Sequence, residues 1–166
     1  MKDITTEIYL TAHLKDWLVH HYGDPVRFPR GCIENELLRR LTVRRPEGSR
    51  GSDHQDVGVT SGARGGLEVV RIVLPDDALH RPEFFNYLGR RSRRRMAESI
   101  DNLFRLHLFF GCLHHVARPG LNRRLFEWCR ANGIRVEARE SVRQKFYRMR
   151  RDFERYGVVL GEKYCH

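Results

Sequence analysis

Between Glu137 and Tyr156 one segment dictates its own secondary structure, because Val142, Phe146, Met149 and Phe153 recur at spacings of 4, 3 and 4 with arginines filling the gaps. An apolar stripe at helical period has to lie on a core, and the basic remainder of such a helix faces outward, where it suits a polyanion. With Val142 at zero and about 100° per residue, Phe146, Met149, Phe153 and Tyr156 fall within about 40° of it. Gln144, Tyr147, Arg148, Arg151 and Arg155 fall opposite, between about 140° and 240°.

The charge is distributed to match. Residues 1–89 hold 12 Lys/Arg against 13 Asp/Glu, whereas residues 90–166 hold 19 against 8, so the second half carries all of the net +10 and one more. Charge kept for solubility alone would be spread evenly. This asymmetry predicts a neutral N-terminal part, 1–89, joined to a basic, helical, DNA-binding part, 90–166.

At 166 residues and 40% hydrophobic content, the chain has material for one good core or two small ones. No run approaches the roughly 20 apolar residues of a membrane span, since Arg105, His107, His114 and His115 interrupt the longest stretch, Leu103 to Val116. No signal peptide is expected either, because Lys2, Asp3, Glu7 and Lys15 break the opening segment. Cys32, Cys112, Cys129 and Cys165 form no C-x-x-C pair, in keeping with free thiols and a cytoplasmic location. Cys112 with His115, and Cys165 with His166, lack a second pair at finger-like spacing; no metal or cofactor is expected.

Ile4, Ile8 and Leu10 predict a strand. Thr11 then caps a helix bearing Leu14, Trp17, Leu18 and His21, with His21 on its apolar side, and Gly23 stops it. Ile33, Leu37 and Leu41 suit a second short helix or a strand. Pro46 to Gly66, with six glycines and three serines, reads as a flexible loop over 46–66. Val69, Val70, Ile72 and Val73 predict the strand that pairs with Ile4 to Leu10. Pro82 is placed at a helix start, with Phe84, Phe85, Tyr87 and Leu88 as an aromatic cluster. After the arginine run Arg90 to Arg95, a helix from Met96 to Val116, apolar on nearly all sides, is expected to be central.

Leu121 to Ala131 forms a helix, Asn132 and Gly133 the turn, and Ile134 and Val136 the plug into the core ahead of the basic helix. Gln144, Tyr147, Arg148 and Arg151 are the candidate base-reading side chains, since Gln pairs with adenine and Arg with guanine in a major groove. Arg90, Arg91, Arg93, Arg94, Arg95, Arg139, Arg143, Lys145, Arg150 and Arg155 are the candidate phosphate contacts. Val158 to Leu160 suits either a short wing or a strand tucked on the core.

Helix, glycine turn, helix over 121–160 resembles the helix-turn-helix DNA-binding proteins of bacteria, their phages and mobile elements. With Gly133 at the turn, Arg139 stands where that family buries an aliphatic residue. A longer turn is therefore expected, and the family's base-contact positions do not carry over.

The expected fold is α+β and mostly helical, with a small N-terminal antiparallel β pair and a helix-turn-helix-like C-terminal part. The expected function is duplex DNA binding by a homodimeric transcriptional regulator, with no catalytic residues. Three alternatives stand beside it. A nonspecific packaging or structural oligomer would use the same charge. A metal-dependent nuclease would use Asp76 and Asp77 after a strand, or the histidine pairs 20/21 and 114/115, yet a turn explains the two aspartates equally well. RNA binding lacks an aromatic-bearing strand motif or a G-x-x-G clamp.

Overall fold

The computed structural model describes residues 3–46, 66–112 and 120–157. Among these lie five α-helices and one two-stranded antiparallel sheet, a mostly helical α+β fold. The chain divides into two compact units, Met1–Asp101 and Asn102–His166. The division falls inside a helix, eleven residues beyond the arginine run's first member, rather than at Gly89.

In the first unit, β1 (Thr5–Thr11) pairs with β2 (Leu67–Val73), in the register Thr5 to Val73 through Thr11 to Leu67. This is the expected partnership, and Ile8, Leu10, Val70 and Ile72 bury the shared inner face. Val26 adds a parallel bridge to Ile72. The helix α1 (Ala12–Tyr22) packs Leu14, Trp17 and Leu18 inward and ends at Gly23, whose φ of 81° is the left-handed conformation glycine adopts freely. Thr11 sits at its N-terminus without a side-chain capping bond, and His21 is exposed rather than core, tilted against the Trp17 ring at 5.2 Å.

Ile33 to Leu41 is indeed a helix, α2, but it turns a different face inward. Leu38 and Glu34 are buried while Ile33 is 77% exposed. Glu34 reaches Ser99 at 3.3 Å, a partner 65 residues away that no local pattern contains. The expected helix start at Pro82 is absent: residues 82–85 form turns, and Tyr87 exchanges backbone hydrogen bonds with Val43 at 3.0 and 3.1 Å. Residues 47–65, most of the glycine-rich stretch, lie outside the described residues, as do Val158 to Leu160.

The helix α3 (Arg90–Cys112) begins at the arginine run itself, so those arginines occupy its first two turns instead of preceding it. It is amphipathic rather than apolar all round. Met96, Ile100, Phe104, Leu108 and Cys112 form one buried row at i, i+4 spacing, whereas Leu106 and Phe110 are 56% and 64% exposed. The excess of apolar residues gave the appearance of a central helix; the five-residue row is what is buried.

In the second unit, α4 (Leu121–Ala131) buries Leu125 and Cys129. Asn132 closes it by donating from Nδ2 to the Trp128 carbonyl at 2.8 Å, and Gly133 reverses the chain at φ 73°. A 3₁₀ turn, Val136–Ala138, follows before α5 (Arg139–Arg155). Ile134 and Ala138 plug the core here, while Val136 is exposed. Seven residues thus separate the helices, Asn132 through Ala138.

Gly111 lets α3 and α4 approach. A Cβ at this position would overlap the five-membered ring of the Trp128 indole, which also meets Phe104 edge-on at 5.9 Å and His107 at 5.6 Å. Gly111→Ala sets two effects against each other: about 1 kcal/mol of helix propensity gained, and about 1–3 kcal/mol lost by overpacking a ring that cannot fold away. A net loss of stability is expected in urea melts, along with altered Trp128 fluorescence. A stabilised variant would show that the indole moves aside at no cost.

Burial also sets the thiol chemistry. Desolvation, with a contribution from neighbouring Cys129, pushes Cys112 up to about 12, and desolvation pushes Cys129 up to about 11 against the pull of the Arg139 guanidinium. Both are therefore thiols at pH 8, and the thiolate is the reactive form. Peptide mapping after maleimide treatment at pH 8 should find these two labelled only in denaturant; prompt native labelling would contradict the packing.

Candidate nucleic-acid interface

The site is built on α5. Its sequence carries seven Lys/Arg against three Asp/Glu. Val142 and Phe146 are buried and anchor its first half, each side chain contributing about 1.5–3 kcal/mol. The apolar face then tapers. Met149 is half-buried, Phe153 stacks on Phe109 at 5.3 Å but is partly exposed, and Tyr156 is 86% exposed. The stripe read from the sequence is thus a support for the N-terminal two turns more than for the whole helix.

The outward face agrees with the helical wheel at four of five positions. Gln144, Arg148, Arg151 and Arg155 are exposed, whereas Tyr147 is half-buried and donates its hydroxyl to Asn122 Oδ1 of α4 at 3.0 Å. At the other end of the pair, Arg139 stands beside Cys129. Residue numbers rise along α5 as they fall along α4, so the two helices run antiparallel where they touch. Tyr147 is accordingly a brace between helices as well as a surface residue.

Acidic neighbours sort the cations. Arg143 donates through Nε and Nη2 to both oxygens of Glu140, at 2.8 and 2.7 Å, and Gln144 Nε2 donates to Glu140 Oε1 at 3.3 Å. The Arg143 hydrogen bonds, with Gln144 helping, hold Glu140 below its ordinary carboxylate range, and the same contact raises Arg143. Arg150 pairs with Glu154 at 3.0 Å, and Arg155 lies 3.8 Å from Asp152. Arg148 and Arg151 have no ion pair among the described residues, which leaves both guanidinium groups available to a ligand.

Several candidate phosphate contacts are placed less favourably. Arg93 is only 8% exposed on the inner side of α3, so it is a core residue of the first unit and not a surface cation. Arg139 is half-buried, and its Nε is enclosed with no hydrogen-bond partner among the described residues. Lys145 is half-buried with its Nζ 5.8 Å from the Phe104 ring centroid, a cation–π contact on the core side of α5. In the first unit, Arg90, Arg91 and Arg95 are exposed without ion pairs among the described residues, and Arg94 is exposed but bonded to Glu98 at 2.8 Å.

Two residues important to this surface, Glu140 and Asn122, were not among the candidates. Glu140, Arg143 and Gln144 stand at i, i+3 and i+4, a spacing that brings side chains together on a helix and so was readable in advance. Asn122 carried no such signal. Among the described residues, no group of three or more His, Cys, Asp or Glu that could hold a metal ion occurs around Asp76 and Asp77. Asp77 instead accepts the backbone N–H groups of Leu79 and His80 at 2.9 and 2.8 Å and pairs with Arg39, which is the work of a turn. His114, His115, Cys165 and His166 lie outside the described residues. No described helix is long and apolar enough to cross a membrane. Compared with known proteins, the chain matches no family model, no curated protein and no solved structure.

Proposed function

We propose that this protein binds duplex DNA by laying α5 in the major groove, and that it acts as a cytoplasmic, sequence-specific regulator of transcription. The observation that carries the proposal is the exposed row Gln144, Arg148, Arg151 and Arg155. These positions lie at i, i+4, i+7 and i+11, within about 60° of one another and about 16 Å from end to end. That length matches roughly five base-pair steps, and a major groove admits a helix of this diameter. Two guanidinium groups in the row lack acidic partners among the described residues, and α4 braces the helix through the Asn122 to Tyr147 hydrogen bond. The resemblance to helix-turn-helix proteins favours two copies on paired half-sites; in the first unit, exposed Arg90, Arg91 and Arg95 are proposed, separately from α5, as cations that meet phosphate.

Selection from a random duplex pool at near-physiological salt tests this. An enriched motif is expected, with affinity falling by several-fold or more on mismatched duplexes. Binding without an enriched motif, lost wholly as salt rises, would replace the regulator with a packaging protein that uses the same cations.

A further inference from the structure

Gln144 has a side-chain amide with two donors on nitrogen and one acceptor oxygen, and in isolation it serves either kind of base edge. In this structure it is not isolated. Its Nε2 donates to Glu140 Oε1 at 3.3 Å. An ionised carboxylate accepts only, so the nitrogen end of the amide must face Glu140 and the carbonyl must face away from it. Glu140 itself is fixed by the two-pronged hydrogen bond from Arg143, at 2.8 and 2.7 Å, and that contact keeps it ionised. Both Glu140 and Gln144 are exposed in the first half of α5, where Val142 and Phe146 clamp the backbone.

From this chain of contacts we infer that Glu140 is a positioning residue that makes Gln144 selective for adenine. The inference rests on the reading of α5 as a groove-binding helix. With one nitrogen proton given to Glu140, the Gln144 amide retains an outward carbonyl and one further N–H. Adenine presents the matching pair in the major groove, a donor at N6 and an acceptor at N7. Guanine and thymine present carbonyl oxygens, O6 and O4, where Gln144 also presents one; two acceptors then face each other with no proton between them. Cytosine offers the donor without the second acceptor and makes one bond rather than two. Rejection comes from the fixed orientation: an amide free to rotate by a half-turn could turn its N–H group to guanine O6 or thymine O4 and make one bond there, which narrows the advantage of adenine.

The test compares the full-length wild type with Glu140→Ala and Glu140→Gln, each by selection from the random duplex pool and by competition among four duplexes differing at one base pair. Circular dichroism establishes that both variants are folded. The wild type should prefer adenine over guanine and thymine by about tenfold at one position. Both variants should flatten that position and leave the rest of the motif in place. Glu140→Gln keeps the length of the side chain yet can donate as well as accept, so its flattening separates lost orientation from lost bulk. An enriched wild-type motif that either folded variant reproduces unchanged would overturn the role of Glu140 alone. A wild type with no motif at all would overturn the groove-binding reading and this inference with it.

Discussion

Phe104→Ala is expected to unfold the second unit and, with it, to remove the proposed binding of nucleic acid. Phe104 is fully buried, its ring meets Trp128 of α4 edge-on at 5.9 Å, and Lys145 of α5 lies over it at 5.8 Å. This one side chain of α3 therefore packs against both α4 and α5. Truncating a buried phenyl group to a methyl costs about 3–5 kcal/mol, from lost transfer energy and the cavity left behind. Whole domains are stable by only about 5–15 kcal/mol. In a unit of 65 residues, such a loss corresponds to a fall in melting temperature of more than about 10 °C. The control is Phe110→Ala, which deletes the same group from the same helix at a position 64% exposed. Equal melting of the two variants, followed by circular dichroism, would refute the packing described for α3.

The difference between those two phenylalanines also explains how far the sequence could be read. β1, β2, α1, α4 and α5 were legible because burial repeats within each segment, every second or every third and fourth residue, and the pattern needs no knowledge of the partner. The α3 segment carried apolar residues beyond what its buried row uses, so Leu106 and Phe110 blurred the direction of the inward face. The segment around Phe84 closes in turns on the Arg81 carbonyl and stops short of a helix, and the Val43 to Tyr87 bridge that follows joins residues more than forty apart, beyond the reach of a local pattern. On the site, rotation about one helix predicted exposure at Gln144, Arg148, Arg151 and Arg155. The wheel could not foresee that α4 would run back alongside α5 and engage Tyr147 through Asn122, nor that Arg93 would turn inward. Those outcomes depend on where other elements lie, which a single helix does not encode.

The sharpest test of the proposed interface follows from the sorting of cations by their acidic neighbours. Arg148, Arg150 and Arg151 each carry one positive charge on the same helix, so alanine at any of them changes the net charge by the same amount. Their surroundings differ. Arg150 is committed to Glu154 at 3.0 Å, while Arg148 and Arg151 are exposed without an ion pair among the described residues. If contact with DNA decides affinity, Arg148→Ala should cost about 1–3 kcal/mol on the preferred duplex and blur base preference at one position. Adding Arg151→Ala should weaken binding further, and where both arginines meet phosphate or base the slope of log affinity against log salt should fall by up to about 2. Arg150→Ala should cost markedly less and leave the base preference intact, since an exposed pair of this kind is worth about 0–1 kcal/mol and the arginine is already occupied. Bulk charge predicts otherwise: three equal losses on every duplex, with no change of preference. That result would remove the basis for assigning Arg148 to a base, because position on the helix, and not charge alone, is what separates a reading face from a solvated one.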